Sequence, residues 1–547
     1  MPQLQKRYVT GNLKETDLLL AKGGKAVACI ILPDMAKEKE QAAAEDLKTH
    51  LDAITGGDFA IKKESEADLT TGNFILVGET LQTKALGIGP FTTYPGGEQT
   101  VLQRIGNYLI LCGNDTGNFK GTQFAVTAFL LEAGCGFYGN EEIWNVIPSL
   151  PDLGVEEGLC AVHTPRFFSR QISNVGKLGE RWFLGGEEMI TGHGLPWFAP
   201  KSAYETHPEF FALVNGERDP NRFEYWQYCY SNDQLAQTVA KNIGEYFDKT
   251  PNMVSFPLPA NDGWDKNWCE CDACRKLENK SDAILTLINK VAKILQKTHP
   301  DRFISILSYH STFFPPNMEV EPNVEVMFCT ETGMFLPLDE GHLIPTGPNP
   351  ITHVTYTQSW KDNFYEYIQK GKVAHPTIWC WYCIGTDFAD WIEVPWVQGN
   401  VITRNLKLWE DAGVTRVFFD GSGPEKIPVR WPLYYAAAMG MWDGKRDAES
   451  VLYEACHRLF GRAAEGMFRY YMALAKTAAA CQSSDAITWL PPAVYKVYGE
   501  YDAIQQAVDE VLPLLDQLNA KEKERVENQL GYWAKTKTLL SETKENI

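Results

Sequence analysis

From Arg166 onward, short apolar runs rich in β-branched and aromatic residues alternate with amphipathic segments. Helices are predicted for SDAILTLINKVAKILQKTHP and WVQGNVITRNLKLWEDAG, among others, because their apolar residues recur three and four positions apart. Seven runs predict strands: FFSRQIS, NMVSFPLPAND, FISILSYHS, VEVMFCTE, ITHVTYTQS, TIWCWYC and TRVFFDGS. Strands that alternate with helices form parallel sheets, so this pattern predicts a (β/α)8-like barrel over residues 161–445.

The chain before this region, residues 1–160, has a shorter α/β pattern. AVACIILP, NFILVGE and VLQRIGNYLILCGN predict strands, the last a hairpin with its turn at the internal Gly-Asn. KEKEQAAAEDLKTHLDAITGG predicts a helix that ends at its glycines, and GTQFAVTAFLLEAGCGFYG predicts a second one. No cluster of acids or histidines occurs in this sequence. We therefore expect a small α/β sandwich that serves as an accessory domain.

The last part of the chain, residues 446–547, predicts helices throughout. Apolar residues recur at helical spacing in DAESVLYEACHRLFG, AAEGMFRYYMALAKTAAA, YGEYDAIQQAVDEVLPLLDQLNA and KEKERVENQLGYWAKTKTLL. Helices with one apolar face bury it against a neighbour. This region is therefore predicted to be a helical bundle packed on the barrel.

The charge balance restricts the partners of the protein. The formal net charge is -19, which argues against binding to nucleic acid or to an anionic membrane surface, because phosphate backbones need basic surfaces. A hydrophobic content of 44% with 22% charged residues is that of a globular protein. Aromatic residues make up 12% and slightly favour a carbohydrate ligand, since aromatic faces stack on sugar rings. The oligomeric state stays open.

The N-terminal sequence and the cysteines bear on location. No run approaches the roughly 20 apolar residues that span a membrane. MPQLQKRYVTGNLKETDLLL lacks the charged start, apolar centre and cleavage site of a secretory signal. We expect a periplasmic or secreted location if a signal has been removed from this sequence, and a cytoplasmic location otherwise. The 13 cysteines lie mostly singly in apolar runs, which disfavours a full disulfide framework.

Polar residues stand where the predicted barrel strands end, and those carboxyl ends carry the chemistry in (β/α)8 barrels. Carboxylates at such a position can act as a general acid, a general base or a nucleophile. The candidate catalytic residues are Asn261, Asp262, Glu331 and Asp420. For Asn261 and Asp262 the competing interpretation is a tight Asx turn at Asn-Asp-Gly. For Asp420 it is a cap on a strand end, and for Glu331 a surface acid.

Other polar and aromatic residues near the strand ends are candidates for substrate binding. Arg170 and Gln171 end the first predicted barrel strand, where a side chain can hold a hydroxyl or carboxylate of a ligand. In the run WCWY, alternate residues face opposite sides of a strand, so at most half can line a cleft. The remaining candidates are His193, Trp197, Tyr309, His310, Trp379, Trp381 and Tyr382. Packing of the strand ends is the competing interpretation for Tyr309 and His310.

Three cysteines follow the Asn-Asp-Gly corner in the stretch PANDGWDKNWCECDACRKL. Cys269, Cys271 and Cys274 lie close enough in sequence to bind one ion, and Cys229 can supply a fourth thiolate from a distant position. One disulfide with free thiols fits the same spacing. A catalytic metal is not expected, because no histidines or carboxylates accompany the cysteines, and no cofactor is required for the chemistry.

Several of these stretches resemble known families. AAAEDLKTHLDAITGG, NFILVGE and GNDTGNFKGTQFAVTAFLLEAGCGFYG are similar to the accessory domain that precedes the barrel in β-hexosaminidases, α-glucuronidases and O-GlcNAcases. HPEFFALVNGERDP, YCYSND, NDGWDKNWCECDACRKL, FISILSYHSTFFPPNMEVEPNVEV and RLFGRAAEGMFRYYMAL together resemble a bacterial family named domain of unknown function 4838. That family includes glycoside hydrolase family 163, which cleaves N-glycans as an endo-β-N-acetylglucosaminidase.

The resemblance implies a retaining glycosidase in which the 2-acetamido group of the substrate assists. Asn261 would hold the acetamide while Asp262 acts as the acid, or Asp262 would polarise the acetamide while another carboxylate donates the proton. Asp420 stands where relatives commonly have a glutamate, and CTETGMFLPLDEGHL departs from the family pattern. Two alternatives follow: a glycosidase for acidic sugars (glucuronides or sialosides), with Arg170 holding the carboxylate, or an inactive barrel that only binds glycans.

Overall fold

A computed structural model describes residues 2–91, 97–263, 266–330, 337–339, 359–380, 393–421, 423, 426–480 and 501–544. Within these ranges the β-strands are β1 (Val9–Thr10), β2 (Leu18–Lys22), β3 (Lys25–Ala26), β4 (Ala28–Leu32), β5 (Ile61–Lys63), β6 (Asn73–Val77), β7 (Thr100–Ile105), β8 (Tyr108–Gly113), β9 (Gly136–Phe137), β10 (Asn145–Val146), β11 (Leu153–Val155), β12 (Cys160–His163), β13 (Ser169–Ile172), β14 (Ser255–Pro257), β15 (Phe303–Ser308), β16 (Val324–Cys329), β17 (His375–Cys380) and β18 (Arg416–Phe419).

The α-helices of the described residues are α1 (Glu38–Thr55), α2 (Leu81–Ala85), α3 (Gly121–Glu132), α4 (Leu178–Arg181), α5 (Leu195–Phe198), α6 (Asp233–Lys249), α7 (Lys280–Thr298), α8 (Trp360–Gly371), α9 (Asn400–Asp411), α10 (Ile427–Trp442), α11 (Ala448–Leu459), α12 (Ala464–Ala480), α13 (Asp502–Val511) and α14 (Ala520–Lys544). None of the helices in these ranges is long and apolar enough to cross a bilayer.

The N-terminal region is built around a mixed sheet with the strand order β12-β7-β8-β6-β4-β5. The predicted hairpin is present, because β7 pairs with β8 in antiparallel register. Helix α1 buries the apolar stripe that includes Leu47 and Leu51, and it ends at Gly56, whose φ of 77° suits a residue without a side chain. Four short strands form a second sheet in the order β1-β11-β2-β3.

The central region contains a parallel sheet of six described strands in the order β13-β18-β17-β16-β15-β14. Each strand from β14 to β18 lies beside the next one in sequence, and the first strand, β13, pairs with the last. This order is that of a sheet that curls toward a barrel, and it agrees with the alternating α/β pattern of the sequence. The predicted strand ITHVTYTQS lies at 351–359, almost entirely outside the described residues.

Side chains alternate between the two faces of this sheet. Ile306, Phe328 and Ile378 belong to the main apolar core, which also includes residues of the surrounding helices. Their neighbours Leu307, Met327, Trp379 and Phe418 pack together on the opposite face, together with Met189, Tyr309 and Cys329. We call this opposite face the inner face. At its amino end Arg416 bridges Glu187 (2.7 Å) and Glu325 (3.3 Å), so buried charges there are paired.

Arg170 points away from the inner face, which corrects its prediction as a substrate-binding residue. Its guanidinium has no exposed surface and forms an ion pair with Glu98 of the N-terminal region. It also donates hydrogen bonds to the carbonyls of Phe183 and Phe167, each at 2.9 Å. The physical reason is the alternation along β13: Gln171 faces the inside, so its neighbour Arg170 must face outward.

The C-terminal helices pack onto both other regions. Arg525 in α14 donates to the carbonyls of Ile143 (2.6 Å) and Asn145 (3.2 Å) near the end of the N-terminal region. The main apolar core is continuous from Val9 to Leu540. The predicted domain boundaries at 160 and 445 stay predictions, and β12 extends the N-terminal sheet to His163.

Candidate active site

A cavity of about 200 Å³ opens at the carboxyl ends of the parallel strands. Its described lining consists of His193, Asp262, Tyr309, Cys329, Thr330, Trp379 and Asp420. Strand ends bring these residues together because parallel strands all finish at the same edge of a sheet. Tyr309 directly follows β15, Thr330 follows β16 and Asp420 follows β18. The structure thus places five residues singled out in the sequence around one cavity.

Asp420 is held by the end of the neighbouring strand β13. The Ser173 hydroxyl lies 3.2 Å from Asp420 Oδ1. The same hydroxyl oxygen accepts a hydrogen bond of 2.8 Å from the backbone N–H of Gly421. The backbone N–H of Asp420 donates to the Cys380 carbonyl at 2.8 Å. Gly421 leaves no room for a side chain, since a Cβ there would lie 2.4 Å from the Ser173 carbonyl oxygen. Asp420 is therefore fixed in position at the cavity edge.

Ser173 was not singled out in the sequence, although a signal for it exists. It is the last residue of the predicted strand FFSRQIS, so it is a polar residue at a strand end, as Asp420 is. The missing information was the pairing of β13 with β18, which places the two ends side by side.

The Asn-Asp-Gly corner has its own hydrogen-bond network. Asn261 Nδ2 donates to the Trp226 carbonyl at 3.0 Å, and Gln227 Nε2 donates to the Asn261 carbonyl at 2.6 Å. The Asp262 side chain is exposed, and its Oδ1 accepts a hydrogen bond from the N–H of Gly263 at 2.9 Å. Asn261 is thus bonded into the protein, whereas the Asp262 carboxylate reaches the cavity.

His193 and Tyr309 form one wall of the cavity, with ring centroids 6.4 Å apart. His193 Nδ1 lies 2.5 Å from the Ala260 carbonyl oxygen. A carbonyl only accepts hydrogen bonds, so Nδ1 carries the proton and Nε2 of the neutral ring is an acceptor. This side chain can therefore accept a hydrogen bond from a ligand hydroxyl.

His310 lies behind this wall, in a smaller adjoining pocket that also contains Asn261 and Trp268. It is 6% exposed, and burial lowers the pKa of its imidazole to about 3, with a smaller contribution from His193. The ring is therefore neutral at physiological pH. Its backbone has a φ of 50°, an uncommon conformation for a residue with a side chain. His310 shapes the wall from behind and does not line the larger cavity.

The remaining predicted binding residues lie in different environments. Trp379 lines the cavity and packs on Phe418 with ring centroids 6.1 Å apart. Trp197 is 70% exposed and packs on Phe256 outside the cavity lining. The Gln171 side chain is bonded at both ends, from Nε2 to the Glu187 carbonyl (3.4 Å) and from the Met189 N–H to its Oε1 (3.1 Å). Glu331, Trp381 and Tyr382 lie outside the described residues.

The cavity is acidic. Its described lining contains Asp262 and Asp420 and neither lysine nor arginine. The sequence of the segments 331–358 and 381–392, which follow β16 and β17, also contains no lysine or arginine. Such a site can donate and accept protons through its carboxylates, and its described lining contains no lysine or arginine that could pair with a ligand carboxylate.

The predicted cysteines also come together. The sulfur atoms of Cys229, Cys269, Cys271 and Cys274 all lie within 4.8 Å of one another. The cluster is linked to the Asn261–Asp262 corner, because Gln227, two residues before Cys229, donates to the Asn261 carbonyl. Among the described residues, these four cysteines form the one group whose side chains lie close enough together to hold a metal ion.

Comparison with known families gives one match. Residues 144–473, more than half of the chain, match the model of a family described as "Domain of unknown function (DUF4838)". No curated protein matches the chain.

Solved structures resemble the fold. A family GH115 4-O-methyl-α-glucuronidase with specificity for decorated arabinogalactans has a TM-score of 0.55 at 12% identity, over 96% of this chain and 73% of that one. A structure named CpGH84B has a TM-score of 0.42 at 11% identity, over 98% and 90%. An O-GlcNAc hydrolase mutant from Thermobaculum terrenum has 0.30 at 14% identity, over 58% and 67%. The first likeness concerns the fold alone, and the other two are too weak to support an argument.

Proposed function

The chain belongs to the DUF4838 family, and from that premise we propose that it is a retaining glycoside hydrolase acting on N-acetylhexosamine-containing glycans such as N-glycans. The activity would be that of a substrate-assisted endo-β-N-acetylglucosaminidase in a (β/α)8-like barrel. One observation carries the proposal: Asp262 and Asp420, from different strand ends, line the same cavity. Most glycoside hydrolases use two carboxyl groups that flank the scissile bond, one as the acid and the other as nucleophile, base or stabiliser of a participating group.

The environments of the two aspartates favour different roles. Asp420 is fixed by Ser173, which suits a carboxylate that must orient and polarise the N–H of the substrate acetamide. Asp262 is exposed, so it can exchange its proton with water between turnovers, as a general acid must. Asp262 would protonate the leaving oxygen while the acetamide oxygen attacks the anomeric carbon. It would then accept a proton from the water that opens the oxazoline, which yields the retained anomer.

The other cavity residues suit a neutral sugar. Trp379 and Tyr309 provide aromatic surfaces on which a pyranose ring can stack, and His193 Nε2 can accept a bond from a hydroxyl. Asn261 would position Asp262 through its bond to the Trp226 carbonyl rather than contact the acetamide.

The charge of the cavity disfavours acidic sugars. Arg170, the residue expected to hold a sugar carboxylate, is buried against Glu98. The described lining contains no lysine or arginine, and two aspartates there would repel a glucuronide or a sialoside. A neutral N-acetylhexosamine avoids this repulsion, so it is the substrate class that the cavity fits best.

The test is hydrolysis of a panel of reducing-end-labelled glycans, including complex N-glycans and glucuronides, by wild type and Asp262→Asn, with the products read by mass. We expect cleavage of a β-N-acetylglucosamine linkage by wild type and its loss in the variant. Release of a glucuronide or sialoside without cleavage of any N-acetylglucosamine linkage would overturn the proposed substrate. Binding of glycans without any product would overturn the proposed activity.

A further inference from the structure

The four-cysteine cluster has the dimensions of a metal site. Zinc bound by four thiolates has Zn–S distances of about 2.3 Å, which places the sulfurs of a regular tetrahedron about 3.8 Å apart. Cys229 Sγ and Cys271 Sγ are 3.7 Å apart, and all four sulfurs fall within 4.8 Å of one another. A single disulfide would join two sulfurs at about 2.05 Å and give no reason for the other two to converge on the same point.

The surroundings of the sulfurs suit thiolates. The N–H of Leu213 donates to Cys269 Sγ at 3.3 Å, and the Ser231 hydroxyl lies 3.2 Å from Cys274 Sγ. The Arg218 guanidinium lies 3.9 Å from Cys269 Sγ. Four thiolates around Zn²⁺ carry a net charge of about -2, which these donors and this cation partly offset. Hydrogen bonds of this kind fix the ligands in a structural zinc site.

The cluster joins two segments that support the Asn261–Asp262 corner. Cys229 lies two residues after Gln227, which bonds the Asn261 carbonyl, and Tyr230 OH donates to Gln227 Oε1 at 2.7 Å. On the other side, Cys269 follows Trp268, whose ring lies 5.4 Å from that of Tyr230. The corner therefore lies in the sequence between the two segments, 227–230 and 268–274, whose four sulfurs converge.

We propose that Cys229, Cys269, Cys271 and Cys274 bind one structural zinc ion that fixes the Asn261–Asp262 corner. All four ligands come from the protein, so the ion has no open position for substrate or water. Its role is to position the corner. The proposal does not depend on the reaction that the cavity performs, because metal content and local order are measured without a substrate.

The first test is the metal content of the full chain, purified without chelator under reducing conditions. We expect about one zinc per chain by plasma mass spectrometry and a shell of four sulfurs at about 2.3 Å by X-ray absorption. Cys271→Ser and Cys274→Ala are expected to lose the zinc. Cys160→Ala is the matched control, because Cys160 is exposed and outside the cluster, and it is expected to keep the zinc.

Two results would overturn the proposal. One is wild-type protein that holds less than about 0.1 zinc per chain even after incubation with zinc and a reductant. The other is a disulfide between two of these four cysteines, located by peptide mapping of the non-reduced chain, in place of the metal site. Both are measured on wild type, so they decide the question even if the cysteine variants fail to fold.

The second test addresses the corner. Hydrogen exchange is followed by mass spectrometry in wild type before and after zinc is removed with a chelator. We expect faster exchange in 225–231 and 259–274 after removal, with α1 unchanged as the internal reference. Equal protection of the corner from hydrogen exchange with and without zinc would contradict the positioning role. The zinc would then be bound without fixing the corner.

Discussion

Two pairs of charged residues differ in their burial and in the charges around them. Glu98 and Arg170 are 1% and 0% exposed and neutralise each other between the N-terminal region and the parallel sheet. Asp262 and Asp420 line an open cavity with no lysine or arginine in its described lining. A buried charge needs a partner to stay in the interior, whereas a carboxylate beside water needs none and keeps its oxygens available. The first pair serves the fold, and the second is available for chemistry.

The comparison extends to what surrounds each pair. Aromatic rings enclose Arg170, with its guanidinium 5.8 Å from the ring centre of Phe124 and 5.5 Å from that of Trp442. The cavity aspartates are instead contacted by small polar groups: the Ser173 hydroxyl lies 3.2 Å from Asp420 Oδ1, and the Gly263 N–H donates to Asp262 Oδ1 at 2.9 Å. Substitutions in the two places should therefore separate stability from activity. The following experiments test this separation, from the largest expected effect to the smallest.

The largest effect is expected for the cavity aspartates. Asp262→Asn and Asp420→Asn should each lower kcat/KM about 10²- to 10⁴-fold, the range for loss of a general acid or base. The free energy of unfolding should change much less than this, since Asn replaces Asp at nearly the same volume and both residues lie at the edge of an open cavity. Steady-state kinetics on the cleaved glycan and urea unfolding measure the two quantities. Full activity of both variants would remove these residues from the mechanism.

Glu98→Gln should have the opposite profile. It leaves the buried Arg170 guanidinium without a counter-charge, so we expect a loss of about 3–5 kcal/mol in the free energy of unfolding. The folded fraction should keep wild-type kcat/KM. The matched control is the double variant Glu98→Leu with Arg170→Met, which removes both charges and should recover much of the stability. A Glu98→Gln protein as stable as wild type would show that the pair is not needed for the fold.

Asp46 forms a second, partly buried ion pair, and its contribution to stability should depend on pH. It accepts two hydrogen bonds from Arg181, at 2.6 and 2.8 Å, which join α1 to the central region. Burial alone would raise the pKa of its carboxyl, but hydrogen bonds from His50 and Arg181 outweigh burial and hold that pKa below its usual range. The folded-state pKa is depressed, so the stabilisation is complete above about pH 4 and is lost as the pH falls further.

Asp46→Asn should therefore lower the free energy of unfolding by about 2 kcal/mol at pH 7, and the difference from wild type should shrink toward pH 2. Thermal unfolding at a series of pH values measures it. Asp58→Asn is the control, because Asp58 is 95% exposed and its ion pair with Lys48 is screened by solvent, so its pH-dependent effect on stability should be much smaller. A constant difference between wild type and Asp46→Asn at all pH values would refute the linkage.

The smallest effect is expected for Ser173→Ala. Loss of the hydroxyl removes the side-chain support of Asp420 and should lower kcat/KM about tenfold, which corresponds to about 1.4 kcal/mol. Ser173→Thr keeps the hydroxyl and should retain more activity than Ser173→Ala. Kinetics of the two variants, with their melting temperatures, separate a positioning effect from a general loss of stability. Equal activity of Ser173→Ala and wild type would show that Asp420 needs no support from Ser173.

The sequence predicted the features that follow from local pattern. The alternation of apolar runs and helices predicted the parallel sheet, and the strand-end rule selected Asp262 and Asp420, which the structure places at one cavity. The spacing of Cys269, Cys271 and Cys274 predicted that they lie together, with Cys229 as the distant fourth member.

The errors and omissions come from information that a local pattern lacks. Arg170 and Gln171 are adjacent and polar, and both faces of a barrel strand are buried, so hydrophobic alternation did not indicate which of them faces inward. The partner of Arg170, Glu98, is distant in sequence and belongs to another region. Ser173 acquires its role through the pairing of β13 with β18, a long-range contact.

The most direct test of the central claim is the binding of a thiazoline mimic of the oxazoline intermediate, measured by calorimetry for wild type, Asp262→Asn and Asp420→Asn. If both aspartates face one acetamido sugar in one cavity, wild type should bind the mimic tightly. Asp420→Asn should bind it at least about tenfold more weakly, because a neutral amide replaces the carboxylate in the hydrogen bond to the ring nitrogen. Absence of binding to wild type, or equal affinity in all three proteins, would contradict the account.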